Sequence, residues 1–448
     1  MRILWVSNSR KSPTGYGNQT DLFVPLLKKA GHEIAIFAFY GQEAAPTQDA
    51  DGIITFPRLQ HPYGNDVVKA HCDYWRADVV ITLINPWVLD AELYGGMNWL
   101  AWSPVEGEPV MPGDVGVLKS AKRIWAMSRH GQGQFLEAGF ENVDYVPHGV
   151  DPNVFKPGDR AAARKRLGDL WKTDLEGRFV VAWNAANKGI PGRKGWYEGM
   201  KAFKAVCDLY PETRPLLYIH SERDGRFGMP LETIRQLVGI PTENVLYAPQ
   251  YEYLAGMIPP WYLNDMYNVA DVLLNPSHGE GFGIPIMEAQ MAGCPVIATD
   301  CSAMSELVDE SGFLVGVEPY LAVPGQMWAK PDQDELGNAL INYASMFGDE
   351  EMRAQWSATA RDFAMEYAAE TVLNQYMLPV LEGWNAENVQ RQSERAVMRM
   401  AARERADKAA TDKSTDKSTD KAATDKSTDK AGLVPTEAGE NGGWQDAL

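Results

Sequence analysis

The stretch Asp271-Val-Leu-Leu-Asn-Pro-Ser-His-Gly-Glu-Gly-Phe-Gly-Ile-Pro-Ile-Met-Glu288 decides the fold. Its apolar start reads as a short strand buried on both faces, ending at Asn275. A glycine-rich loop follows. Pro285 suits the first turn of a helix, and Gly293, just after Ala292, suits its stop. Strand, glycine loop and helix in this order form one unit of a parallel α/β sheet. Amides freed by Gly281, Gly283 and the helix start, with Phe282 and Ile284 among them, converge on one spot. Such a spot seats diphosphate oxygens. Glu280 lies in the loop and Glu288 about one turn into the helix, so both carboxylates line one cleft and can accept from vicinal hydroxyls. The spacing of the two glutamates alone would fit a surface residue followed by a capping residue; the strand, glycines and proline around them make the pattern specific.

The same alternation runs outward in both directions. Ile3 to Ser7 reads as a strand, Thr14-Gly-Tyr-Gly-Asn18 as a loop, and Leu22, Phe23, Leu26, Leu27 and Ala30 have helical spacing. Strands are expected at 33–39, 79–84, 99–102, 124–127 and 143–146, and again at 179–183, 216–220, 245–247 and 295–299. The fold class is therefore α/β, with two facing Rossmann-like, doubly wound parallel-sheet domains. The expected bounds are 1–152 for the first domain, 153–177 for a polar, basic linker or interdomain helix and 178–369 for the second. A helix at about 370–384 packs back on the first domain, and a charged tail covers 385–448. Within that tail Thr411 to Lys430 repeats Thr-Asp-Lys units, too poor in apolar residues to offset chain entropy, and is expected to be disordered.

A chain of 448 residues with 45% hydrophobic and 23% charged residues has the composition of a soluble two-domain protein. A formal charge of −18 argues against nucleic acid or an anionic membrane as partner. No apolar run approaches the roughly 18 residues of a membrane span. The opening Met1-Arg-Ile-Leu-Trp-Val-Ser7 reads as a strand rather than a secretory leader, and Cys72, Cys207, Cys294 and Cys301 include no Cys-x-x-Cys pair. Cytoplasmic residence with free thiols is the expectation, as a monomer or homodimer.

A second cluster, Asn184-Ala-Ala-Asn-Lys-Gly-Ile-Pro-Gly-Arg-Lys-Gly195, places Lys188, Arg193 and Lys194 on a loop directly after a strand. A local cationic patch in an acidic chain can neutralise a leaving diphosphate where a divalent ion would otherwise be needed. Together with Glu280 and Glu288, this loop resembles the Glu-x7-Glu signature and basic loop of retaining two-Rossmann (GT-B) glycosyltransferases, glycosyltransferase family 4 or group 1 type. The likeness spans roughly residues 1 to 384 in element order and is tightest at 180–195 and 271–308.

The resemblance implies that Glu288 binds the nucleotide ribose, that Glu280 contacts donor-sugar hydroxyls, and that Lys188 and Lys194 carry the basic positions, Lys188 standing where an Arg is more usual. It implies transfer of a sugar from a UDP- or GDP-sugar to a hydroxyl of a glycan, lipid or protein, with retention and without a metal or other cofactor. Thr14-Gly-Tyr-Gly-Asn-Gln-Thr20 nearly matches a dinucleotide fingerprint. However, Thr20 replaces the third Gly, and the second strand ends Phe37-Ala-Phe-Tyr40 without an acid for a ribose. Gly15, and with it Gly17, is assigned instead to the donor phosphates. Tyr145-Val-Pro-His-Gly-Val-Asp-Pro-Asn-Val-Phe155 resembles the family's interdomain signature, with His148 where Asn is common. Ser128 and His130 follow a strand end and are further cleft candidates. Where many members carry a His, this chain reads Trp102-Ser-Pro-Val-Glu-Gly-Glu108, making Glu106 a candidate hydroxyl ligand.

Asp49-Ala-Asp51 and Asp332-Gln-Asp334 have the spacing of a metal-binding pair but lie in a polar loop and before a helix, where Asp caps. His278, Cys294 and Cys301 lack zinc spacing. The 14 Trp are read as packing. The rival readings are a related epimerase or phosphorylase acting on sugar phosphates, and a catalytically silent nucleotide-sugar-binding scaffold.

Overall fold

The computed structural model describes residues 1–190, 192–323 and 325–387, with positions 390, 394, 398 and 400. Residues Met1–Glu382 form one compact unit built on two sheets. In the first sheet β1 (Arg2–Asn8), β2 (Glu33–Tyr40), β3 (Thr47–Gln48), β4 (Ile54–Pro57), β5 (Val79–Leu83), β6 (Trp99–Ser103), β7 (Arg123–Ala126) and β8 (Val143–Tyr145) lie in the order β3-β4-β2-β1-β5-β6-β7-β8. Its pairs are parallel except the short edge strand β3. In the second sheet β9 (Val180–Asn184), β10 (Leu216–His220), β11 (Val245–Tyr247), β12 (Val272–Asn275), β13 (Val296–Thr299) and β14 (Phe313–Val315) lie in the order β11-β10-β9-β12-β13-β14, all parallel.

These strands are nearly continuous runs of Val, Ile, Leu and aromatics because helices cover both faces of each sheet and no face is left to water. Leu4, Val6, Phe37 and Val80 belong to the core of the first lobe. Val181, Trp183, Leu217 and Leu274 belong to that of the second. Trp5, Trp99, Trp102, Trp125, Trp183 and Trp196 are fully buried, in keeping with a packing role.

Chain crossings join the lobes. Val150 N–H donates to Tyr367 O and Ala369 N–H to Val150 O, both at 2.9 Å, so the outgoing and returning strands of the hinge are paired. The returning segment 369–377 packs on the helix Gly15–Lys29 of the first lobe, and helical structure continues to Glu387. The segment read as a linker or interdomain helix contains a helix, Arg160–Trp171, packed on the helix Pro260–Val269 of the second lobe. Two of its arginines have ion-pair partners: Arg160 reaches Asp271 at 2.5 Å and Arg166 reaches Asp265 at 2.7 Å.

A hairpin of β15 (Val317–Val323) and β16 (Gln326–Pro331), absent from the sequence-based expectation, stands outside both sheets. Tertiary contacts hold it. Tyr320 Oη lies 2.7 Å from His278 Nδ1, and Met327 pairs with Glu108 of the first lobe through its N–H and O at 2.6 and 3.1 Å. The two Asp-x-Asp segments have structural partners: Asp49 and Asp51 both accept from Arg10, and Asp332 caps the helix Gln333–Ser345. Among the described residues no helix is long and apolar enough to cross a membrane. The Thr-Asp-Lys run lies outside the described residues.

Candidate active site at the sheet switch point

The second sheet starts at β9, grows outward through β10 and β11, and then resumes on the other side of β9 with β12. Strand order therefore reverses between β9 and β12. Loops leaving their carboxyl ends diverge there and open a crevice, the usual seat of ligands in such sheets. The two chemically marked loops are the ones that leave these two strands: the basic loop after β9 and the glutamate loop after β12.

Backbone contacts zip the loops together. His278 N–H donates to Arg193 O at 2.8 Å, and the Arg193 guanidinium donates to the Gly279 carbonyl. Gly195 has φ +66°, and a Cβ there would lie 2.1 Å from Pro276 O, so only glycine lets the basic loop close on its neighbour. This places Lys194 Nζ 2.5 Å from Glu280 Oε1 and Arg193 Nη1 2.9 Å from Glu280 Oε2. Arg193 Nη2 also reaches Glu106 Oε1, from the first lobe, at 3.1 Å. Glu280 N–H donates to Ser302 Oγ at 2.8 Å.

Burial alone would push the Glu280 carboxyl up, but Arg193 and Lys194 outweigh it and hold it down at about 2. Burial, with Arg193 alongside, pulls the Lys194 ammonium down despite Glu280. Arg193 goes the other way: Glu106 and Glu280 outweigh the burial that disfavours its charge. Two cations and two carboxylates thus form one partly buried network.

Glu288 has a different environment. It lies on the helix Ile284–Met291, whose start is Gly283 at φ +113° with Pro285 in the first turn. Its Oε2 accepts from Tyr267 Oη at 2.9 Å, and Tyr267 Oη accepts from Asn184 Nδ2 at 2.8 Å. Burial pushes this carboxyl up to about 7, opposed by the hydrogen bond from Tyr267. The two glutamates of one motif are split by their surroundings into a permanent anion and a group that titrates near neutrality.

The first lobe faces this loop closely. A Cβ on Gly15, at the start of the helix Gly15–Lys29, would lie 3.3 Å from Ile284 Cδ1, so Gly15 stands opposite the glutamate helix. Gly281 lies against Pro104 and Gly279 against the Glu106 carbonyl; added Cβ atoms would come within 2.4 and 1.9 Å. Phe282 packs edge-on against His148, ring centres 5.2 Å apart, and Trp102 approaches the same imidazole at 4.6 Å. Burial lowers the His148 imidazole to about 3, so it is neutral at pH 7, and its Nδ1 has no partner among the described residues.

Several expected members stand apart from this network. Lys188 is exposed and has no side-chain hydrogen bond among the described residues. Its loop is pulled towards 222–229, where Asn187 Nδ2 donates to Glu222 O and Met229 O and Gly189 N–H donates to Phe227 O. Arg193, and not Lys188, lies beside Glu280. Gly17 is buried, and a Cβ there would meet Ser12 O at 2.3 Å, so it serves the turn and not the crevice. Ser128 caps the helix Arg129–Glu137, its Oγ accepting from Gly131 N–H at 2.9 Å. His130 Nδ1 lies 3.5 Å from Glu108, while its backbone N–H and that of Arg129 donate to Glu306 of the second lobe. Ser128 and His130 therefore belong to the contact between the lobes. Ser302, Tyr267 and Glu306 were not anticipated; none sits in a motif, and only tertiary proximity marks them.

Residues 241–330 match the family model described as glycosyl transferases group 1. This part of the second lobe is similar to the group 1 glycosyltransferases. Over 242 residues the chain is 29% identical to D-inositol 3-phosphate glycosyltransferase of Segniliparus rotundus, covering 53% of this chain and 49% of that protein. Over 178 residues it is 33% identical to the enzyme of that name from Corynebacterium jeikeium, covering 39% of each. The chain thus spans about half the length, or less, of these curated relatives. Among solved structures, sucrose-phosphate synthase from Thermosynechococcus elongatus superposes with a TM-score of 0.68 at 16% identity, over 86% of this chain and all of that one. HepE from Anabaena, in complex with UDP-glucose, superposes with a TM-score of 0.62 at 16% identity, over 85% and 100%. At such identity the likeness shows the fold. The two lobes form a GT-B fold of two facing Rossmann-like sheets.

Proposed function

We propose that the chain is a retaining glycosyltransferase that takes a sugar from a nucleoside-diphosphate sugar and places it on an acceptor hydroxyl without a metal ion. The observation that carries this reading is the Glu280–Lys194–Arg193 network at the switch point, with Glu288 on the helix that follows the Glu280 loop. Diphosphate oxygens entering the crevice meet two cations and the amides at the head of the glutamate helix. Ribose hydroxyls donate to Glu288. Glu280, ionised at all working pH values, accepts from sugar hydroxyls and keeps Lys194 and Arg193 aimed at the bond that breaks. As the sugar–oxygen bond lengthens, charge grows on the diphosphate, and the two cations stabilise it. The acceptor oxygen attacks from the leaving-group face and passes its proton towards the departing phosphate, so no side chain becomes covalently attached. Contact between the lobes at Gly279 and Gly281 keeps water out. Retention is supported by the resemblance to family 4. The names of the curated relatives bring phosphorylated cyclitols into the acceptors to be assayed, beside glycans, lipids and proteins. Release of nucleoside diphosphate from UDP- and GDP-sugars, with and without these acceptors, tests the reading. Failure of every nucleotide and nucleotide sugar to shift the melting temperature would overturn it.

Glu106 competes with phosphate for Arg193 in this reading. Glu106→Gln is expected to tighten nucleoside-diphosphate binding about threefold or more, since a like charge leaves the crevice. Calorimetry with UDP and GDP measures it, and weaker binding would make Glu106 a ligand instead of a competitor.

Donor affinity should also depend on pH through Glu288. The free group sits near 7 because it is buried, and ribose hydroxyls favour its ionised form, so binding lowers its pKa and expels a proton. Affinity for a UDP-sugar, whose phosphates do not titrate here, should be constant above about pH 8 and fall up to about tenfold per unit below pH 7. A flat profile from pH 8 to 5.5 would remove Glu288 from the ribose.

A further inference from the structure

The hairpin of β15 and β16 leaves the carboxyl end of β14, the side of the second sheet on which the crevice opens, and pairs with neither sheet. Its footing in the second lobe is the loop that carries Glu280. Tyr320 Oη lies 2.7 Å from His278 Nδ1, and Ala329 N–H donates to His278 O at 2.9 Å. Its outer edge faces the other lobe. Leu321 stands opposite Met327 within the hairpin, yet Met327 turns both main-chain groups outward. Its N–H donates to Glu108 O at 2.6 Å, and its carbonyl accepts from Glu108 N–H at 3.1 Å. Gln326 Nε2 adds a longer bond to Pro109 O at 3.4 Å. Residues 106–109 of the first lobe are thus laid along the free edge of β16 like an added strand, a pairing made by backbone and open to almost any side chains.

The same short segment is also a wall of the crevice. A Cβ on Gly279 would lie 1.9 Å from the Glu106 carbonyl, and Glu106 Oε1 accepts from Arg193 Nη2 at 3.1 Å. On its other side a Cβ on Gly107 would lie 2.4 Å from Met327 O and 2.7 Å from Trp328 Cδ1, so only glycine lets the segment close on the hairpin. Residues 106–109 are therefore clamped between β16 and the loops that bear Arg193 and Glu280. The side chains of Leu321 and Met327 are exposed, so parting this edge uncovers little apolar surface. What it breaks is a pair of main-chain bonds and one long side-chain bond, a contact that can open and reform.

We propose that the hairpin Val317–Pro331 is a latch between the lobes, which opens to pass nucleotide into and out of the crevice and shuts while the sugar is transferred. Its catch is the Met327–Glu108 pair, and its pivot is the His278 footing beside Glu280. Because residues 106–109 carry both the catch and Glu106, releasing the latch withdraws the crevice wall and the carboxylate on Arg193 together. The nucleotide part of this proposal rests on the donor reading given above; the latch itself does not.

Two variants of the full chain test it from opposite lobes. Met327→Pro removes the outward N–H from an edge strand, where proline is tolerated and no bond inside the hairpin is lost. Gly107→Ala leaves the hairpin sequence intact and puts a methyl group where the two segments meet. Hydrogen exchange without nucleotide should show the Glu108 amide exchanging about tenfold faster or more in both, while amides bonded between β15 and β16 keep the protection of the parent. Stopped-flow binding of fluorescently labelled UDP and GDP should show association and dissociation both about tenfold faster, with Kd within about threefold of the parent. Unchanged exchange at Glu108 in Gly107→Ala would overturn the latch. Faster exchange with unchanged nucleotide rates would overturn its gating role. If neither the parent nor the variants bound nucleotide, the donor reading and the gating role would fall together, and the exchange data would still decide whether the lobes are latched here.

Discussion

Lys194→Ala is expected to lower kcat by about 10²–10³-fold while changing the donor KM by only a few-fold. The bound diphosphate already carries negative charge before the reaction, but its charge rises as the sugar departs. A cation beside the breaking bond therefore gains more interaction in the transition state than in the ground state. Lys194 is held for this by the 2.5 Å pair with Glu280, itself buried and held at about 2. Removing Lys194 leaves Glu280 paired with Arg193, so the network loses one charge without leaving a carboxylate unpaired. Stability should change little for that reason. Lys194→Arg keeps the charge but not the compact ammonium, and should recover part of the rate. Steady-state kinetics with the donor found by the nucleotide screen measures the effect. A kcat within about threefold of the parent would remove Lys194 from the leaving-group role.

Glu288→Gln should abolish the nucleotide-induced rise in melting temperature and at the same time make the free protein more stable above neutral pH. The two effects share one cause. In the folded chain burial raises this carboxyl to about 7 from its ordinary 4.5. For a group shifted upward, stability is fully present below the unfolded pKa and is lost as pH rises through the folded one. The window is therefore about pH 4.5 to 7, and by pH 8 the buried carboxylate costs on the order of 3 kcal/mol. Glutamine occupies the same space, still accepts from Tyr267 through its amide oxygen, and never ionises. A gain of roughly 5 °C at pH 8, shrinking towards pH 5, is expected in a thermal melt. A destabilised variant at pH 8, or one that still responds to nucleotide, would refute the role assigned to Glu288.

Much of the fold was legible because both sheets are parallel and doubly covered, which turns each strand into a short apolar run that stands out against its loops. Leu216–His220 and Val245–Tyr247 were delimited to the residue, and the end of Val272–Asn275 as well. Strands lacking that signature were not: β4 and β14 are short edge-side strands, and the Val317–Pro331 hairpin holds through Tyr320 and Met327 touching distant residues. The site divides similarly. Glu280, Glu288, Arg193 and Lys194 sit in motifs whose glycines and proline have local conformational reasons, so they could be found in one dimension. The exposed position of Lys188 and the capping role of Ser128 depend on which way a loop or helix start turns once packed.

By itself, the stretch Asp271–Glu288 determined a strand, an amide-lined loop and a helix bearing a carboxylate, because backbone preferences of glycine and proline act over a few residues. That stretch supplies two acids, and residues 184–195 supply a cationic loop. Tertiary structure alone decided that strand order reverses between β9 and β12, bringing the two loops into contact. It decided as well that Arg193 and not Lys188 completes the network, and that one glutamate is held at about 2 while the other rises to about 7. Charge interactions and desolvation act through space, and residues 87 positions apart, such as Arg193 and Glu280, become neighbours only when the sheet assembles.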